Sequence, residues 1–180
     1  MSTFRRSIQP SILALVLALT SATPALTARS RPNPPSRLVA QELPGENLAS
    51  VERELVALIA RERAERGLAR LDVDVVLIEA ARSHSQEMGD KGYFDHYSPT
   101  PGRRSPMERY LRASRGSGRG VAVGENIYFS SEVSAQGAHR AFMNSRGHRD
   151  NILGRNWRRV GIGIHANADG EFWVTEMFAG

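Results

Sequence analysis

Three side chains of this sequence have the type and the setting for chemistry: His96 in "GYFDHYSP", Glu125 in "GENIYF" and His148 in "NSRGHRDNIL". Glu125 poses the sharpest question, because the run from Val121 to Phe129 reads as a strand. A carboxylate in a half-buried strand costs several kcal/mol unless it is paired or hydrogen-bonded, so Glu125 demands a partner. His96 stands in a loop just past a helix end, behind two aromatics and before Pro99. His148 stands in a polar cluster with Asn144, Ser145, Arg149, Asp150 and Asn151. Loops anchored in this way often carry function. Two imidazoles and a carboxylate could hold a divalent cation such as zinc with a position left open, or could share protons in a water-filled cleft. The separations, 29 residues from His96 to Glu125 and 23 from Glu125 to His148, match no local metal motif, so spacing alone leaves both chemistries open.

The remaining histidines read as structural. His84 falls on the apolar stripe of a helix and is left outside the site, as a core histidine with satisfied ring nitrogens. His139 and His165 stand alone in a helix and a strand, as packing or surface residues. The absence of cysteine excludes disulfides, thiolate metal sites, a cysteine nucleophile and a lipid-modified cysteine. Neither a Gly-x-Ser-x-Gly elbow nor a His-Glu-x-x-His helix occurs. A hydrolase reading therefore rests on a metal-activated water or on Glu125 as general base.

The elements that must position these residues follow from periodicity. Val51, Leu55, Leu58 and Ile59 share one face of a helix capped by Ser50, with Glu52 and Glu54 near its start and Gly67 past its end. A second helix runs from about Asp74 to Gly89 or Gly92, with Leu77, Ala81, His84 and Met88 on one stripe. Ser105-Pro106-Met107-Glu108 combines a capping box with proline at the first helical position and predicts a short helix to Ala113. A fourth helix is predicted from Glu132 to Met143. Strands are predicted over 121–129, 160–166 and 171–178, the last two joined by a tight hairpin at Asn167-Ala168-Asp169-Gly170. Helices gather early and antiparallel strands late, which favours an α+β layered domain over a doubly wound parallel one.

The 180-residue chain is formally +5, yet from Ser50 onward 19 basic residues face 17 acidic ones, a weak attraction for nucleic acid. Positive charge concentrates in Gly102 to Gly120, where six arginines face a single glutamate; that stretch could contact an anionic lipid, a cell-wall polymer or another polyanion. Residues 1–28 read as a signal peptide, with Arg5 and Arg6, the short apolar run Ile12 to Leu19, and small residues up to Ala28. The run is too short for a comfortable transmembrane span, so no stable span is expected after processing, and the protein is expected to be secreted, periplasmic or extracellular. Residues 29–49, with Pro32, Pro34 and Pro35, read as a Pro-rich linker that leaves 50–180 as a single domain.

In their order, "GYFDHYSP", "GENIYF", "FMNSRGHRDNIL", "RRVGIGI" and "EFWVTEMF" resemble the CAP or SCP domain of the cysteine-rich secretory, antigen 5 and pathogenesis-related superfamily, and more closely its cysteine-free bacterial branch. The resemblance covers about Ser50 to Phe178. It implies an α-β-α sandwich with a central antiparallel sheet and a large cleft lined by two histidines and two glutamates, whose histidines bind a divalent metal in several members. His96 takes the place of the first histidine, Glu125 that of the glutamate in the Gly-Glu-Asn segment, and His148 that of the second histidine. The second glutamate has no clear counterpart, since Phe142 stands in the place of the tryptophan before it and Asn144, Ser145 and Arg146 follow. The implied site is a triad in which His96 and His148 converge on Glu125 from two loops, with Asn126 and Ser145 as polar supports and the two histidines as metal ligands. Members of the family are mostly regarded as extracellular binding or signalling modules. The implied function is a secreted, non-catalytic binding module for a divalent cation such as zinc, or for a small or lipid-like ligand. A metal-dependent hydrolase in the same cleft, and a protein that binds polyanions or cell wall through residues 102–120, are the alternatives.

Overall fold

A strand buried along its whole length organises the structure, a computed structural model that describes residues 44–180 except Arg119. This strand, β4 (Phe172–Ala179), lies between β3 (Arg159–Ala166) and β2 (Val123–Ser130), both antiparallel to it. A two-residue strand, β1 (Asp72–Val73), pairs in parallel with β3, and the order β1-β3-β4-β2 places β2 at the edge of the sheet among the described residues. Helices α2 (Val75–Lys91) and α3 (Pro106–Ala113) cover one face; α1 (Pro44–Glu65), α4 (Ala135–Asn144) and α5 (Arg146–Ile152) cover the other. The result is a single α+β domain, an α-β-α sandwich whose antiparallel sheet carries one short parallel edge strand.

Side-chain alternation along the strands sorts the core into two halves. Phe172, Val174 and Phe178 pack with Leu55, Ile59 and Phe142, whereas Met177 and Ala179 pack with Leu77, Ala81 and Tyr110. In β2 the same alternation sends Glu125 and Ile127 toward α2 and α3, and Asn126 and Tyr128 toward α4 and α5. Gly161 and Gly163 let α2 lie close on β3. A Cβ at Gly163 would fall 2.0 Å from the Arg82 nitrogen, and one at Gly161 2.3 Å from the Ile78 nitrogen.

The predicted helix signals act largely as read. Asp74 caps α2 by accepting from the Val76 and Leu77 amides at 2.7 and 3.3 Å, and Gly92 ends it at φ 64. Ser105 caps α3 by accepting from the Glu108 amide at 3.2 Å, while the Glu108 carboxylate reaches back to the Arg104 amide at 2.7 Å. In the hairpin, Asn167 Oδ1 accepts from the Asp169 and Glu171 amides at 3.1 and 2.9 Å, and Gly170 takes φ 82. Two helix starts differ, and a fifth helix appears that periodicity does not predict. Helix α1 begins at Pro44, so Ser50 lies inside it rather than at its cap. Helix α4 begins at Ala135, behind a Ser134 hydroxyl that accepts from the Gly137 amide at 3.0 Å. Helix α5 was not expected at all. It is seven residues long, contains Gly147 and shows little apolar period, and buried Arg63 anchors its end by donating to Ile152 O and Gly154 O at 2.8 and 2.9 Å.

The predicted signal peptide and the linker up to residue 43 lie outside the described residues, as does Arg119. Among the described residues, no helix is long and apolar enough to cross a membrane.

Candidate functional site

Glu125 is 7% exposed and both of its oxygens are engaged: Oε1 accepts from His96 Nδ1 at 2.9 Å, and Oε2 from Arg109 Nη2 at 2.5 Å. The partner of the strand carboxylate is therefore Arg109 as well as His96. In the sequence Arg109 is one of six arginines in the basic stretch from Gly102 to Gly120. Helix α3 turns it inward beside Tyr110, where it is 3% exposed and also donates to His96 O at 3.0 Å. Arginine suits this position, because its planar fork stays charged when buried and bonds a carboxylate and carbonyls at once.

The loop that carries His96 is held from α2. Glu87 Oε2 accepts from Ser98 Oγ at 2.7 Å and from the Tyr93 hydroxyl at 3.2 Å, and Oε1 accepts from Lys91 Nζ at 2.8 Å and from the Thr100 hydroxyl. Burial pushes the Glu87 carboxyl up, but the hydrogen bonds from Lys91, Thr100 and Ser98 outweigh it and hold it at about 2. With Nδ1 donating to Glu125, the His96 nitrogen left to meet a ligand is Nε2, on a side chain that is 44% exposed.

His148 stands in α5 rather than in a loop, and it does not bond Glu125. Its ring meets Phe142 edge-on at a centroid distance of 5.3 Å. Burial, with the nearby charge of His96, holds its pKa below the ordinary histidine value. Asn126, next to Glu125 in β2, faces α5 and β4. Its Nδ2 donates to His148 O at 3.1 Å and to Glu176 Oε2 at 2.9 Å, and its Oδ1 accepts from Asn151 Nδ2 at 2.9 Å. Asn151 Nδ2 also donates to Glu125 O at 3.0 Å, so α5 is fastened to the outer edge of β2. Ser145 does not reach the three. It is the junction between α4 and α5, where its amide donates to Ala141 O and Phe142 O and its hydroxyl makes no capping bond.

Two further groups border this arrangement. His84 is fully buried, as a core histidine should be, with Nε2 3.1 Å from Asp95 O; the same nitrogen lies 3.9 Å from Glu125 Oε1. Burial lowers its pKa to about 4, so it is neutral at physiological pH. Glu176 is fully buried at the middle of β4 opposite Asn126, and burial pushes it up to about 8 against the opposing hydrogen bond from Asn126. The sequence signal for it is a glutamate between Thr175 and Met177 in a strand flanked by aromatics. His139 and His165 pack as expected, the first 3.5 Å from Glu62 and the second against Trp173.

Among the described residues, no group of three or more His, Cys, Asp or Glu is placed to hold a metal ion. The donor set on offer is the His96 and His148 imidazole pair, with Glu125 committed to orienting one of them. A cavity of about 380 Å³ lies at the opposite edge of the sheet, between α1, β1 and α2.

The sequence profile described as the cysteine-rich secretory protein family matches residues 56–178. YkwD of Bacillus subtilis is 37% identical over 134 residues, which make up 74% of this chain and 49% of that protein. The membrane protein YlbC of the same organism is 30% identical over 113 residues, 63% of this chain and 31% of that protein. The chain thus spans half or less of these relatives. Among solved structures, an extracellular protein containing an SCP domain from Bacillus anthracis superposes with a TM-score of 0.66 at 26% identity, over 83% of this chain and 44% of that one. An outer surface protein of Borrelia burgdorferi shares the fold, with a TM-score of 0.63 at 17% identity over 72% of this chain and 92% of its own.

Proposed function

The chain belongs to the cysteine-rich secretory protein family, and from that membership we propose that it acts outside the cytoplasm as a non-catalytic binding module. In this reading His96 and His148 present imidazole nitrogens to a divalent cation such as zinc, or to a small or lipid-like ligand. The observation that carries the reading is the double engagement of Glu125. With one oxygen on Arg109 and the other on His96, and its side chain only 1% exposed, the carboxylate is set to orient the imidazole rather than to face a substrate as general base. That favours binding over hydrolysis. His148, whose pKa burial lowers, keeps a lone pair for ligation at neutral pH. Two imidazoles fall short of the four ligands of a closed zinc site, so a cation held by His96 and His148 would need further ligands from solvent or from a bound molecule. Export is supported by the leader read over residues 1–28. The polyanion alternative loses Arg109 to the interior but keeps exposed Arg112 and Arg115.

Calorimetric titration with zinc at pH 7.5, of the wild type beside His96→Ala/His148→Ala, tests the cation reading. Saturable binding that weakens at least tenfold in the double variant is expected, together with a zinc-dependent rise in melting temperature of the wild type alone. Identical heats and melting curves for the two proteins would remove the cation from the proposal.

A further inference from the structure

The cavity of about 380 Å³ at the sheet edge away from the imidazole pair opens where β1 stops. Its last pair is Val73 with Val160, so beyond Val160 the outer edge of β3 has no strand partner among the described residues. The volume falls within the roughly 300–1,000 Å³ of pockets that enclose small ligands. Much of the wall is apolar: Ala49, Val56 and Ala57 come from α1, Val73 from β1 and Ile78 from α2, with Ile162 of β3 beneath. Val73 stays 51% exposed at this edge. Four charged side chains, Glu52, Arg53, Arg70 and Arg82, complete the lining. The one carboxylate is already spent. Glu52 Oε1 accepts from Arg82 Nε at 2.8 Å and from the Ile164 amide at 3.3 Å, and Oε2 accepts from Arg82 Nη2. Arg53 and Arg70 are exposed, and neither makes a hydrogen bond or ion pair with another described residue. Two unmatched guanidinium groups thus border an apolar hollow, whose low-dielectric walls focus their field on whatever enters.

We propose that this cavity binds a small amphiphilic carboxylate, a monoanion with a compact apolar body, whose body rests on Val56, Ile78 and Ile162 and whose carboxylate lies between Arg53 and Arg70. A planar carboxylate matches the guanidinium fork, and both forks receive it without disturbing the pair of Glu52 and Arg82. The apolar body supplies most of the driving force, because it covers wall that water now wets, Val73 included. The two cations fix its direction and select for charge. An ion without the body lacks the first contribution, and an uncharged analogue lacks the second.

The test is a calorimetric titration of the full chain with 3-phenylpropionate, at ionic strength held constant with sodium chloride. Saturable binding is expected, at least tenfold tighter than that of 3-phenylpropionamide or of acetate. Arg53→Gln/Arg70→Gln should bind at least tenfold more weakly with an unchanged melting temperature, since neither arginine has a partner within the described fold. Ala57→Trp keeps both charges and fills the hollow from an exposed position on α1, so it should lose binding too. Arg61→Gln, on α1 but outside the lining, should bind as the wild type does. So should His96→Ala/His148→Ala, which keeps this result separate from the cation reading. No saturable binding by the wild type, full affinity in Arg53→Gln/Arg70→Gln or in Ala57→Trp, or equal affinity for acid and amide would overturn the site. An equal loss in Arg61→Gln would reduce the effect to net charge, and a loss in the double histidine variant would move the probe to the imidazoles; either result also overturns it.

Discussion

Removing Arg109 would leave Glu125 as an uncompensated charge beneath α3, and deleting one member of a buried pair costs about 3–5 kcal/mol. Arg109→Met is expected to lower the unfolding free energy by about that amount in a urea titration. Arg109→Met/Glu125→Gln should recover most of the loss, because the stranded charge has gone. A double variant as unstable as the single one would mean that Arg109 compensates some group other than Glu125. The need for a partner was legible in the sequence, since a carboxylate in a strand is expensive wherever the strand packs. The partner was not. Arg109 is one of six arginines between Gly102 and Gly120, and composition gives all six the same solvated appearance. Only the inward rotation of α3 distinguishes it.

At the scale of elements, the depth at which α2 rests on β3 sets the position of both Glu87, which holds the His96 loop, and His84. That depth depends on Gly161 and Gly163. Gly163→Ala would drive a methyl group to 2.2 Å from the Ala81 carbonyl carbon, against backbone that cannot swing away. The expected cost is at least the roughly 1–3 kcal/mol of an overpacked core, with a lower melting temperature and loss of protection in the loop from Tyr93 to Thr100 by hydrogen exchange. Gly147→Ala is the control: nothing lies within 4 Å of its Cβ and it sits in α5, so a neutral or slightly stabilising effect is expected. Equal melting temperatures for the two variants would show that α2 can lift from β3 without penalty. The caps at Asp74 and Ser105 and the turn at Asn167 were readable because each is settled by residues two to four positions away. Helix α5 was not, because its place is fixed from afar by Arg63 and Asn126.

For the whole molecule, two buried groups set opposing dependences on pH. Glu176 has its folded pKa raised from 4.5 to about 8, so its contribution to stability is full below 4.5 and is lost as pH rises through 8. His84 has its folded pKa lowered from 6.5 to about 4, so its contribution is full above 6.5 and is lost as pH falls toward 4. The alkaline limb belongs to Glu176. Glu176→Gln keeps an oxygen to accept from Asn126 and removes the ionisation, so its melting temperature should exceed that of the wild type by more at pH 9 than at pH 5. A gain of equal size at both pH values would show that Glu176 does not ionise in this range.

The sequence alone determined what depends on near neighbours along the chain. That includes the early helices and late antiparallel strands, the Ser105 cap and the hairpin. Tertiary structure decided what depends on which faces meet. It paired Glu125 with Arg109, set His148 on a helix stitched to the β2 edge, and placed Ser145 at a junction. It also buried Glu176 completely at the centre of the sheet. These outcomes turn on desolvation and charge contacts between elements distant in sequence. Hydrophobic periodicity records that a face is buried, and carries no record of which polar group waits on the other side.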